Sequence, residues 1–291
     1  MLKQIKQFTF KKLMFILLFL FIYLILFSLL GFYTSIKPVK IISEKTPQDF
    51  NLNYEKVSFT TEDNINIYGW FIPSQKENNN KTIIFLHGYP ADKGNILPSI
   101  IFLNKNYNLF LFDFRYLGES GGHYSTAGAK EILDLKAAIK FLKNKNINKI
   151  GVWGFSMGGA VALMGAAEIP EINMVVSESS YANLNKISYE LYQLPILKYP
   201  LGWLTSFWAK IFLKIDTKKI SPLESVKKLN IPVLIIHSKT DQVIPFDNAL
   251  LLQKAMKKKS LAEFWFTDGL IHGEIIKEYK NRLQIFFNNN L

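Results

Sequence analysis

The residues best suited to chemistry begin with the run Gly154-Phe155-Ser156-Met157-Gly158-Gly159. A serine with glycine two positions before and two after it can sit on a tight strand-to-helix turn, because the backbone at those positions is pressed against neighbouring elements. Such a turn exposes the Ser156 hydroxyl at the amino end of a helix, where free amides favour developing negative charge. A phosphate-binding loop is the competing chemistry, but it requires G-x-x-x-x-G-K-[ST], and no lysine follows here. The spacing therefore predicts a nucleophilic serine.

A serine hydroxyl is a weak nucleophile near neutral pH and needs a base, which in turn needs an orienting carboxylate. The chain offers four histidines. His87 and His237 end strand-like runs and fit structural roles, while His123 lies in a glycine-rich, solvated loop. His272, in Asp268-Gly269-Leu270-Ile271-His272-Gly273, follows the last predicted strand and is the candidate base. Asp241, shortly after the run ending at Ile236, is the candidate acid; Asp268 and Asp247 are its rivals, with Asp247 expected to cap the next helix. An oxyanion formed during acyl transfer needs two amide donors. The Met157 amide supplies one. The other is expected from Tyr89 in His87-Gly88-Tyr89-Pro90, where Gly88 lets the chain turn toward Ser156 and Pro90 has no N–H to give.

These residues need elements to hold them. Val57–Thr61 and Ile65–Ile72, joined through Asp63-Asn64, alternate polar with apolar and read as an antiparallel pair. Thr82–Leu86, Leu109–Phe112, Ile150–Gly154, Met174–Ser177, Val233–Ile236 and Ala262–Phe266 are instead mostly continuous apolar runs, as expected of strands buried on both faces. Helical periodicity between them is clearest over Gly128–Asn144. The predicted fold class is α/β: a mostly parallel eight-stranded sheet flanked by helices, with chemistry beyond the carboxyl ends of the strands. The short Asn-rich tracts Asn78–Asn80 and Asn288–Asn290 read as a loop and a frayed end.

The segments IIFLHGYPADKGN (83–95), LFDFRYLGESGG (111–122), GVWGFSMGGAVAL (151–163), PVLIIHSKTDQVIP (232–245) and DGLIHGE (268–274) together resemble the α/β hydrolases of the serine-aminopeptidase-like and monoacylglycerol-lipase-like branch, over residues 55–288. In that family the nucleophile, acid and base follow in the chain order shown by Ser156, Asp241 and His272, with the base on the loop after the last strand. The second segment departs from the family pattern, because Tyr116 follows Arg115 where a glycine is more frequent. The resemblance also implies a helical cap inserted at about 181–222, a stretch carrying Tyr181, Tyr189, Tyr192, Trp203, Phe207, Trp208 and Phe212.

Leu13 to Phe32 is a run of 20 residues without a charge, long enough as a helix to cross about 30 Å of hydrocarbon. The run exceeds the apolar stretch of a cleaved secretory signal and lacks an A-x-A site, so it reads as a transmembrane signal anchor. It divides the chain into a basic cytoplasmic stretch (1–12), the anchor (13–32), a linker (33–54) and the hydrolase domain (55–291), with the positive-inside rule putting that domain on the extracytoplasmic side. Half of the formal net charge of +12 falls in residues 1–45; the rest is scattered lysine, including Lys257-Lys258-Lys259, which reads as a charged helix end rather than a nucleic-acid footprint. No cysteine is present, which excludes disulfides and thiol chemistry.

The 291-residue chain is thus expected to be a membrane-anchored serine hydrolase that cleaves a carboxylic ester, or an amide or thioester, through an acyl-enzyme. The substrate is a small-molecule or lipid acyl compound, with no cofactor or metal required and no nucleic acid bound. An acyltransferase with the same three residues, or a non-catalytic membrane-tethered binding protein, are the alternatives.

Overall fold

The computed structural model of the chain describes every residue except Met1, Asn78, Ile275 and Lys277, with side chains described from Phe10 onward. Residue 78 of the first Asn-rich tract and most side chains of the basic N-terminal stretch therefore lie outside the described residues. The sheet consists of β1 (Glu55–Thr60), β2 (Asn66–Ile72), β3 (Lys81–Leu86), β4 (Asn108–Phe112), β5 (Lys149–Phe155), β6 (Ile172–Glu178), β7 (Val233–Ser238) and β8 (Ala262–Thr267). Their spatial order is β1-β2-β4-β3-β5-β6-β7-β8. β2 runs antiparallel to both its neighbours, and all pairs from β4 to β8 are parallel.

The helices are α1 (Leu2–Ile36), α2 (Lys93–Ile100), α3 (Glu131–Asn144), α4 (Met157–Ala166), α5 (Leu184–Glu190), α6 (Lys198–Trp208), α7 (Pro222–Val226), α8 (Asp247–Ala255) and α9 (Glu278–Asn290). The unbroken apolar runs follow from the layering. Along β3, Ile84 and Leu86 face the core beneath α3 and α4, whereas Ile83 and Phe85 face the core beneath α2 and α9. β4 divides the same way, Phe110 and Phe112 to one side and Leu109 and Leu111 to the other. Alternate residues point to opposite faces, so a strand covered on both sides must be apolar at every position.

α1 continues four uncharged residues beyond Phe32, to Ile36, and is the one described helix long and apolar enough to cross a membrane. The chain after it is held to the body rather than hanging free. The Ser43 amide and hydroxyl both donate to the Asp92 carboxylate, at 2.7 and 2.5 Å, and Lys40 Nζ donates to the Ser120 carbonyl. Between β6 and β7 the chain leaves the sheet to form α5 and α6, which runs on as a π-helical turn over Ala209–Leu213.

Candidate active site

Ser156 lies between β5 and α4 with φ 54° and ψ −115°, a conformation that disfavours any side chain. The glycines around it make the turn possible. A Cβ on Gly154 would strike the Gly158 carbonyl, and one on Gly158 would strike the Leu86 carbonyl. A Cβ on Gly159 would lie 3.0 Å from the Glu178 carbonyl, the same oxygen that accepts the Ser156 amide at 2.8 Å. Three strand ends, of β3, β5 and β6, are thereby clamped around one serine.

Asp241 follows β7 and is buried. Its Oδ1 accepts the Val243 and Ile244 amides, each at 2.9 Å, and its Oδ2 accepts Nδ1–H of His272 at 2.7 Å. Burial pushes the Asp241 carboxyl up, but the His272 hydrogen bond and the two amides outweigh it and hold the group below the ordinary carboxylate value. With Nδ1 fixed as donor, Nε2 of His272 is left free to accept a proton. The imidazole packs at a tilt against Phe155, the residue before Ser156, with ring centroids 4.8 Å apart, and a Cβ on Gly273 would approach the Phe155 ring to 3.0 Å. The structure thus joins Asp241 to His272 and lays the His272 loop on the serine turn, while the Ser156 hydroxyl makes no hydrogen bond among the described residues.

The remaining candidates sort clearly. Asp268 is 74% exposed and pairs with Lys239 at 3.1 Å, while His272 is taken by Asp241. Asp247 does not cap α8: Phe246 occupies the cap position, and the Asp247 carboxylate, in the first turn, pairs with Lys186. The carboxylate is drawn to a nearby cation instead of the amides of its own helix. His87 and His237 are buried, and burial lowers the pKa of both, which keeps them neutral. His87 Nδ1–H donates to the Gly88 carbonyl and Nε2 accepts the Phe114 amide, while His237 Nε2–H donates to the Ile244 carbonyl. His123 is exposed.

Met157 is the first residue of α4, where an amide has no acceptor within its own helix. Tyr89 and Met157 both line a cavity of about 320 Å³ that reaches Ser156. Gly88 is packed so closely that a Cβ there would lie 2.9 Å from the Phe155 ring and 3.4 Å from Ser156 Cβ. Two contributions are not evident from spacing. Glu178, at the end of β6, is buried and accepts the Trp153 indole N–H at 3.2 Å. Phe32, Ser35 and Ile36 at the end of α1 form part of the cavity wall, and the Tyr89 hydroxyl donates to the Ser35 carbonyl at 2.7 Å. The signal for the second was present in sequence as Ser28 and Gly31, small residues in an otherwise bulky apolar run. Among the described residues, no group of three or more His, Asp or Glu side chains converges as metal ligands would.

A family model described as the alpha/beta hydrolase fold matches residues 81–217. The uncharacterized protein YfhR of Escherichia coli O157:H7 is 30% identical over 213 residues, 70% of this chain and 69% of that protein. The membrane protein YNL320W of Saccharomyces cerevisiae is 29% identical over 162 residues, 53% of this chain and 54% of its own. Among solved structures, the Pyrococcus furiosus esterase Pf2001 superposes with a TM-score of 0.73 at 33% identity, covering 87% of this chain and 99% of the esterase. Sheet order, the strained serine turn and these likenesses agree: the chain belongs to the α/β hydrolase family.

Proposed function

We propose that the protein is a membrane-anchored serine esterase in which Ser156, His272 and Asp241 act together. The observation that carries this reading is the 2.7 Å hydrogen bond from His272 Nδ1 to a buried Asp241, with the imidazole packed against the residue beside Ser156. The likeness to the P. furiosus esterase supports the ester as the bond cleaved, and the apolar α1 supports the anchor.

In the first half of the reaction Ser156 Oγ attacks the ester carbonyl and passes its proton to His272 Nε2. The carbonyl oxygen becomes negative between the amides of Tyr89 and Met157, each such donor contributing about 3 kcal/mol. The ester C–O bond breaks, the alcohol leaves with the proton from His272, and an acyl-serine remains. Water then attacks the acyl carbon, His272 takes its proton and returns one to Ser156, and the carboxylic acid departs. Asp241 keeps His272 in the tautomer this sequence requires and stabilises the transient imidazolium.

A fluorophosphonate probe tests the nucleophile directly. Full-length wild type in detergent becomes covalently labelled and hydrolyses p-nitrophenyl esters; Ser156→Ala loses labelling entirely and turnover by at least ~10³-fold. Equal labelling of the two proteins would overturn the assignment.

A further inference from the structure

The cap between β6 and β7 is docked on α1. Tyr192 Oη donates to the Ser28 carbonyl at 3.3 Å, and Trp208 Nε1–H donates to the Ser28 hydroxyl at 3.0 Å. Phe212 stacks against Phe32 at 6.1 Å. Ser28 lies eight residues before the end of α1, about 12 Å along the helix axis at a rise of 1.5 Å per residue. With α1 as the membrane span, Trp208 at the end of α6 reaches the depth of Ser28, below the end of the apolar run.

The side of the cap turned away from the body is suited to that depth. Ile196 is 82% and Trp203 59% exposed, and Tyr199, Phe207 and Phe212 are exposed beside them. Trp203, Phe207, Trp208 and Phe212 form an unbroken series of ring contacts, and an exposed aromatic face of this kind is rare on a soluble surface. Tyr33 and Lys37 at the end of α1, together with exposed Lys210 and Lys214, give the aromatic and basic rim found where proteins meet headgroups.

On the opposite side of this contact lies the cavity that reaches Ser156. Its apolar wall is built jointly by Phe32 and Ile36 of α1 and by Leu191, Ala209 and Leu213 of the cap. The cap and α1 therefore carry both the exposed apolar face and the wall of an apolar chamber that reaches the serine.

We propose that the substrate is a bilayer-resident acyl ester, that the exposed face of the cap lies in the leaflet beside α1, and that the acyl chain of the substrate occupies the α1–cap cavity. This rests on the serine esterase reading and adds to it the substrate class and the surface that meets it. The anchor is part of the acyl pocket.

The test uses the full chain reconstituted in phosphatidylcholine vesicles carrying a fluorogenic long-chain phospholipid ester, with water-soluble p-nitrophenyl acetate as a second substrate. The double variant Ile196→Glu/Trp203→Glu alters only the outer face of the cap. Turnover of the vesicle ester should fall at least tenfold while acetate turnover stays within twofold of wild type. Unchanged vesicle turnover in the double variant overturns the proposal. Because the chain has no cysteine, Trp203→Cys also gives a single labelling site. A fluorophore there should be quenched by brominated acyl chains in the vesicles, and an unquenched fluorophore overturns the proposal even if the double variant fails to fold. Wild type that cleaves neither ester and takes up no fluorophosphonate refutes the esterase reading, whereas wild type that cleaves acetate but not the vesicle ester refutes only the lipid one.

Discussion

Glu178 shows how much a single side chain at a strand end can matter to the whole. Burial pushes its carboxyl up to about 7, with the neighbouring Tyr279 hydroxyl and Trp153 indole pulling the other way. The ordinary value is 4.5, so between these limits the native state binds more protons than the unfolded chain, and stability falls as pH rises across that window. Over the full window the loss is about 3 kcal/mol. Denaturant unfolding at pH 5 and pH 8 should therefore show wild type losing stability relative to Glu178→Gln, the variant lacking this slope; parallel behaviour of the two would refute the assignment. The turn that carries Ser156 was legible in the sequence because it dictates glycine on both sides. Glu178 was not, since an acidic residue at the end of an apolar run carries no mark of whether neighbouring strands will bury it. Asp247 was misread for the same reason: its position suggested a helix cap, but Lys186, distant in sequence, decided where the carboxylate went.

At the level of the element, the turn between β5 and α4 depends on space that glycine alone leaves. Gly154→Ala puts a methyl group into the Gly158 carbonyl, a clash of backbone against backbone that no rotamer relieves. Overpacking typically costs about 1–3 kcal/mol, and more where only backbone can move. The variant should melt markedly lower than wild type by circular dichroism and lose fluorophosphonate labelling; a melting temperature equal to wild type would refute the packing argument. The strands could be read from unbroken apolar runs because both faces of the sheet are covered. The start of α3 was less legible. The periodic stretch begins at Gly128, but the Glu131 carboxylate accepts the amides of Thr126 and Gly128 and the hydroxyls of Ser125 and Thr126, holding those residues in a loop, and the helix begins at Glu131. Tyr116, where the family more often has glycine, adopts φ 68°. The hydrogen bonds from its amide to the Gly121 carbonyl and from its hydroxyl to the Pro38 carbonyl hold that strained backbone in place.

For the molecule as a whole, α1 does not stand apart from the body, because its last turns pack on the cap and on the cavity wall. Hydropathy reads a helix as a tether because it weighs residues one at a time, and the contacts that α1 makes from Ser28 onward are tertiary. Gly31 lets Tyr192 approach so closely that a Cβ would lie 2.5 Å from its hydroxyl, which also hydrogen-bonds Thr205 at 2.7 Å. Gly31→Leu should wedge the cap off the helix at a cost of about 1–3 kcal/mol, lowering the unfolding temperature in detergent by a few degrees. It should also slow turnover of long-chain esters more than short ones, and equal slowing would refute a shared wall. The notch formed by Ser28 and Gly31 also limits how this protein can be rebuilt. A polyleucine segment of matching length would be as apolar, but it would offer Tyr192 and Trp208 no seat, so α1 cannot be exchanged as a spare.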